Sequence, residues 1–464
     1  VRQRGGQILH PIAGPLRNQH APGATPPGGH PAPHALYDQG RLSEAAEQLQ
    51  AAIELYPYHS AWHFNLGLTY EALDDVDSAC ECFYAALELD EHDIECLNCL
   101  AGSLTRLGKF PEALSCYARI DAIEPSFEPS YCNRVATYTE MGDHENAELA
   151  FYLARQMKDQ CGTCSYNLGS SFFLRGLYDE AMLSWREALR IEPTHLLANV
   201  RLAEVSWLKG QVEQSCDYYR AQLRVTGEDV DIRLDFADLL IEIAAFGEAH
   251  YQLLLAEKFE PDNPSVHHCL GDLARAEGDL EKAEAFYRGA MALNPTLSAS
   301  YTRLARLMLL RGAAQDAVAL LTKGLKYVVV DVPVLHEFSQ VFLAAGAAPQ
   351  AYILLAQLVD YCPMDASAWH NLAVACFQRG WTLEGIRHCR HALRLRPGYT
   401  LARYNMALGY AANDQGCRAR AQVRRGLREA PDDVRLGELA NRLEARRLGW
   451  RRWIVFAVRA MRRR

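Results

Sequence analysis

Pro264 to Leu297 reads PSVHHCLGDLARAEGDLEKAEAFYRGAMALNPTL. Leu270 and Gly271 open a pattern continued by Gly278, Ala283, Tyr287, Ala290 and Pro295, at positions 7, 8, 15, 20, 24, 27 and 32 of a 34-residue unit. Apolar residues recur every three or four positions on each side of Gly278, and Pro295 ends the second run, so the unit reads as two antiparallel helices. Small residues at positions 8 and 20 let the two backbones approach, and Tyr287 fills the gap beyond them.

The same frame runs through almost the whole chain. Position 32 falls on Pro57, Glu91, Pro125, Asp159, Pro193, Gly227, Pro261, Pro295, Val329, Pro363, Pro397 and Pro431, with no insertion or deletion. Position 20 reads Ala79, Ala113, Ala147, Ala181, Ser215, Ala249, Ala283, Ala317, Ala351, Gly385 and Ala419. Position 8 is Gly, Ala or Ser in ten of eleven full units, with Val135 the exception. Period and residue pattern resemble the tetratricopeptide repeat (TPR). The resemblance implies an all-α, right-handed superhelix (an α-solenoid) of eleven full helix-turn-helix units plus one partial N-terminal unit. Such an array is quasi-one-dimensional, although 464 residues would ordinarily suggest about three domains.

The frame divides the chain. Residues 1–34 hold seven prolines, six glycines and no acid, and are expected to be disordered; His10, His20, His30 and His34 there read as composition rather than a metal site. The absent initiator Met leaves a truncated start open. Residues 35–433 form the repeat array, 434–448 a capping helix, and 449–464 a basic amphipathic tail. In the first unit Pro31 and Pro33 fall where a first helix should run, so only its second helix, about 42–55, is expected. The unit from Leu196 is the weakest, with Ser206, Ser215, Gln222 and Gly227 at framework positions, and is a candidate hinge. Tyr327-Val328-Val329-Val330 replaces the usual turn and predicts a second irregular joint. No apolar run reaches 18 residues and the start does not read as a secretory signal.

Charge is unevenly spread. From Arg442 onward nine arginines face one acid, a net +8, and residues 1–34 carry +3, which leaves −20 on 35–441 against the chain's −9. Drawn as a helix, the tail puts Trp450 and Trp453 on an apolar side and Arg451, Arg452, Arg459 and Arg462 on the other. Three uses compete for it: capping the last unit, lying on an anionic membrane surface, or folding back on an acidic groove. The fourteen cysteines are mostly scattered in helices, as fits buried small residues in a reducing, cytoplasmic setting.

No glycine-rich phosphate loop, HExxH or GxSxG elbow occurs, so no enzyme is expected. Two CxxC pairs, Cys96/Cys99 and Cys161/Cys164, lie almost two repeats apart, too far to share one tetrahedral zinc. A partial thiol cluster of Cys132 with Cys99 is conceivable, but no metal or cofactor is expected. In the cluster His388-Cys389-Arg390-His391, Cys389 holds position 24 and should point into the core.

By the resemblance, first helices line a concave groove and positions 2, 5, 6, 9, 12 and 13 reach partners. Position 6 is Asn65, Asn133, Asn167, Asn371 and Asn405, a ladder similar to the peptide-binding arm of O-GlcNAc transferases. Cys99, Arg201, Asp235, Cys269, Arg303 and Glu337 interrupt it, and no glycosyltransferase domain follows. These amides either hold a peptide backbone or bond locally within the array. The carboxylate clamp of chaperone-binding TPR domains is disfavoured, because no lysine occupies position 5. Asp231, Asp235, Asp238 and Glu242 are spaced to share one helix face, and Glu204 and Asp272 add acids at position 9 on either side. That face is either a seat for a cationic partner or simply solvated. The expectation is a scaffold that binds a peptide or protein with a basic segment. The alternatives are a recognition subunit for a protein-modifying enzyme and a membrane-surface assembly factor; no nucleic-acid partner is expected.

Overall fold

The computed structural model describes residues 16, 32–157 and 161–444. All regular structure among them is helical. Cα packing separates the chain into residues 1–236 and 237–464, which are taken in turn.

In the first unit the pairs Ser60–Ala72 with Val76–Leu89, Ile94–Arg106 with Phe110–Ile123, Glu128–Met141 with His144–Met157, and Gly162–Leu174 with Tyr178–Ile191 repeat one hairpin. Each second helix packs on its own first helix and on the next one along. The small residues do what their spacing demands. A Cβ added to Gly67 would lie 2.5 Å from the Phe83 ring, and one on Gly169 2.6 Å from Trp185. The position-24 aromatic thus lies directly on the bare backbone of position 8, and Phe83 and Trp185 are wholly buried.

The second unit repeats the device. Gly271 would meet Tyr287 at 2.6 Å, and Ala283 is fully enclosed. Asn263 and Asp365 cap the helices that follow them, accepting from Ser265 N at 2.8 Å and Ser367 N at 2.7 Å. Residues 434–444 continue as a helix whose Leu436, Leu439 and Leu443 are buried with Tyr410, Ala419 and Val423. The rest of the expected capping segment, and the tail with Trp450, Arg451, Arg452, Trp453, Arg459 and Arg462, lie outside the described residues.

Between first and second helices the chain always turns through the left-handed region. Nine glycines adopt positive φ there, and Asp74, Ala244 and Asp414 do so in their place.

One local expectation is overturned and another is met. A six-residue helix, Pro33–Asp38, does form in the first repeat, because Pro33 takes the first helical position, where its missing N–H costs nothing. Leu16, in the segment expected to be disordered, is buried in the first unit's core among Phe64, Leu68 and Leu97. The weak unit's first helix starts only at Ala198, after a turn at Leu196 and Leu197. The Tyr327–Val330 joint is irregular as predicted: helix Ala314–Gly324 stops three residues short of its 14-residue equivalents, and only Val328 of the three valines turns inward.

Candidate binding face

Successive first helices lie against one another, Ile94–Arg106 beside Glu128–Met141 and Glu128–Met141 beside Gly162–Leu174 in the first unit. Their position-6 side chains bridge them. Asn133 Nδ2 donates to Asn98 Oδ1 at 3.0 Å, and Asn167 Nδ2 donates to the Cys132 carbonyl at 3.1 Å. Arg201, at the same position, donates from Nε to the Tyr166 hydroxyl at 3.4 Å and from Nη1 to Glu204 Oε2 at 2.9 Å. Burial alone would lower the Arg201 guanidinium, but Tyr166 and Glu204 beside it more than reverse this and hold it above its ordinary value. Asn65 and Asn167 are buried.

The second unit has the same bridges. Asn405 Nδ2 donates to His370 Nε2 at 2.8 Å, and the Tyr399 hydroxyl meets His370 Nδ1 at 3.3 Å. Burial holds the His370 imidazole below its ordinary value, against an opposing hydrogen bond with Asn371. Asp272 is nearly enclosed. It accepts from the Tyr287 hydroxyl at 2.7 Å and pairs with Arg303 Nε at 3.1 Å and Arg275 Nε at 3.5 Å. An acid so placed is already paired with two guanidinium groups and hydrogen-bonded by a hydroxyl, which its sequence position did not reveal.

The acidic helix Val230–Glu242 does not present its carboxylates evenly. In the first unit Asp231 is exposed and Asp235 is buried at 5% exposure. In the second, Asp238 is half-buried, with Cys269 Sγ at 3.5 Å from its Oδ1, and Glu242 is exposed. The four-residue spacing is real, but Asp235 is withdrawn from solvent.

The His388–His391 cluster is a packing feature. Cys389 is fully buried and its thiol is pushed up to about 12 by burial, while His388 and His391 lie 5.5 and 4.2 Å, centroid to centroid, from Trp369. The thiols are not all inert and separate, however. Cys417 is exposed, and Cys132 is disulfide-bonded to Cys164 with their Cα atoms 4.9 Å apart. The neighbour Cys132 bonds to is thus the second CxxC pair. Adjacent first helices bring these cysteines together over 32 residues of sequence, a lateral match that spacing along one helix could not show.

Tandem helix hairpins in one unbroken register, with polar side chains bridging successive first helices, define a protein-interaction scaffold. Models of the tetratricopeptide repeat match residues 34–94 and 274–337, and the chain is a tetratricopeptide-repeat protein. It is similar to Tetratricopeptide repeat protein 37 of Xenopus laevis, 25% identical over 260 residues, covering 55% of this chain and 15% of that one. It is also similar to human Protein O-mannosyl-transferase TMTC1, 25% identical over 199 residues, covering 41% of this chain and 22% of the other. The chain therefore spans under a quarter of either relative. Among solved structures, yeast Tom70 aligns with 90% of this chain and 95% of its own, at 13% identity and a TM-score of 0.39. Among the described residues no helix is long and apolar enough to cross a membrane.

Proposed function

We propose that the first-helix face holds an extended or helical segment of another protein, and that this segment is basic. The chain acts in this reading as a scaffold without chemistry of its own. The observation that carries it is the polar row on successive first helices: Asn133 and Asn167 in one unit, His370 and Asn405 in the other. One N–H of the half-buried Asn133 and Asn405 amides is used between repeats, which fixes each side chain and leaves its remaining donor and acceptor capacity for a ligand backbone, while Asn167 and His370 are buried beneath the row. The net −20 on residues 35–441 favours a cationic segment. A photo-crosslinking residue at exposed Glu337, on a first helix, should capture the partner, and one at exposed Ile353, on a second helix, should not. Capture from Ile353 alone would move the binding surface to the other side of the repeats.

A second reading is favoured by the likeness to Protein O-mannosyl-transferase TMTC1: the repeats recognise substrates for a protein-modifying enzyme. Co-purification of a glycosyltransferase with the tagged chain supports it; a partner set without one leaves the plain scaffold.

A further inference from the structure

Glu128, Cys132, Cys161 and Cys164 bring one carboxylate oxygen and three sulfurs within 4.8 Å of one another, all inside the first unit. Glu128 and Cys132 are one turn apart at the start of helix Glu128–Met141, so they share a face. Cys161 is the N-cap of helix Gly162–Leu174, and its Sγ accepts the Cys164 N–H at 3.3 Å. The bond between Cys132 and Cys164 accounts for two of these groups. It does not account for the other two. Cys161 Sγ comes within 3.2 Å of Cys132 Sγ, and Glu128 Oε1 within 3.1 Å of the same sulfur. A disulfide sulfur carries no proton, so nothing in that bond draws a carboxylate oxygen onto it.

We propose that these four residues, once Cys132 and Cys164 are reduced, form a tetrahedral site for a soft divalent cation of the zinc class. The donor set is of the right kind: three thiolates select a thiophilic metal, and a CxxC across a helix start is a common two-ligand unit. Zinc–sulfur bonds of about 2.3 Å put tetrahedral sulfurs about 3.8 Å apart, within the observed spread. The N–H of Cys164 on Cys161 Sγ is the outer hydrogen bond that a metal-bound thiolate uses, and the positive end of the helix favours the anionic form. Disulfide and metal exclude each other because they use the same sulfurs. Two equivalents of a small thiol of the glutathione class reduce the Cys132–Cys164 bond, yielding two protein thiols and one small-molecule disulfide. The cation then displaces three thiol protons, forms three metal–sulfur bonds, and takes the Glu128 carboxylate as fourth ligand. The site would pin two adjacent first helices in the reduced chain as the disulfide pins them in the oxidised one.

The test uses the full chain, reduced with a phosphine, stripped of metal by a chelator and titrated with Zn²⁺ against a chromophoric competitor. The expected result is one tightly held zinc per chain. Cys161→Ser and Cys164→Ser should each weaken it by more than about 100-fold and Glu128→Gln by at least about tenfold, with helicity unchanged. Cys417→Ser, at an exposed thiol, should leave it unaltered. Substitution with Co²⁺ should give the absorption of a tetrahedral thiolate site in the parent and lose it in Cys161→Ser. Zinc that is not retained by the reduced chain, or retention indifferent to both Cys161→Ser and Glu128→Gln, would overturn the site and leave a disulfide only.

Discussion

Ala244 holds a φ of 59°, a conformation in which nine equivalent turns use glycine. A Cβ in the left-handed region costs about 1–2 kcal/mol, and glycine's greater unfolded freedom returns about 0.4–1 of that. Ala244→Gly should therefore stabilise the chain by about 0.5–1 kcal/mol, read as a raised urea midpoint. Gly278→Ala, at φ 88° with open space around the new methyl, should cost about as much. A lowered midpoint for Ala244→Gly would show the turn to be unstrained. The glycine rhythm at this position was plain in the sequence. That Ala244 obeys the same geometry was not, because nothing in an alanine announces positive φ.

At the scale of the helix, His370 joins Ala366–Gln378 to Thr400–Ala412 through Asn405, and its imidazole is neutral when its Nε2 accepts that amide N–H. Burial lowers its folded pKa below the unfolded value, so on acidification the native state takes up this proton less readily than the unfolded chain does. The stabilisation is complete above the unfolded value of about 6.5 and is lost as pH falls below it. Protection factors for hydrogen exchange in these two helices, corrected for the intrinsic pH dependence, should fall between about pH 7 and pH 5, and His370→Gln should flatten that fall. An unchanged pH profile in the variant would assign the effect elsewhere. A histidine at position 5 was visible in the sequence; its amide partner, 35 residues later on the next first helix, was not.

For the molecule as a whole, coupling runs between neighbouring hairpins rather than through one shared core. Ala283→Leu forces a larger side chain into a fully buried helix crossing and should cost about 1–3 kcal/mol. Faster exchange should stay within Pro264–Leu297 and the hairpins flanking it; uniform loosening would contradict the repeat logic. Binding of a basic partner should weaken when Asp238 and Glu242 become Asn and Gln, and its salt dependence should flatten. Equal affinity at low salt would make those two carboxylates a solvated face.

The sequence by itself determined the helix hairpin, its 34-residue period and the residues buried within each hairpin. These follow from contacts within one hairpin, recorded by the small residue at position 20 of every full unit, the small residue at position 8 of all but the Val135 unit, and the aromatic or other apolar residue at position 24. One irregularity was legible for the same reason: the short helix before Tyr327 sits where the usual turn residues fail, whereas the late start at Ala198 does not coincide with the weak framework positions Ser206, Ser215, Gln222 and Gly227. Only the tertiary structure decided what meets across repeats. Asn133 on Asn98, Arg303 on Asp272 and the gathering of Glu128, Cys132, Cys161 and Cys164 all depend on the stagger of one first helix against the next. That stagger is set by packing summed over many side chains, so no single spacing in the sequence carries it.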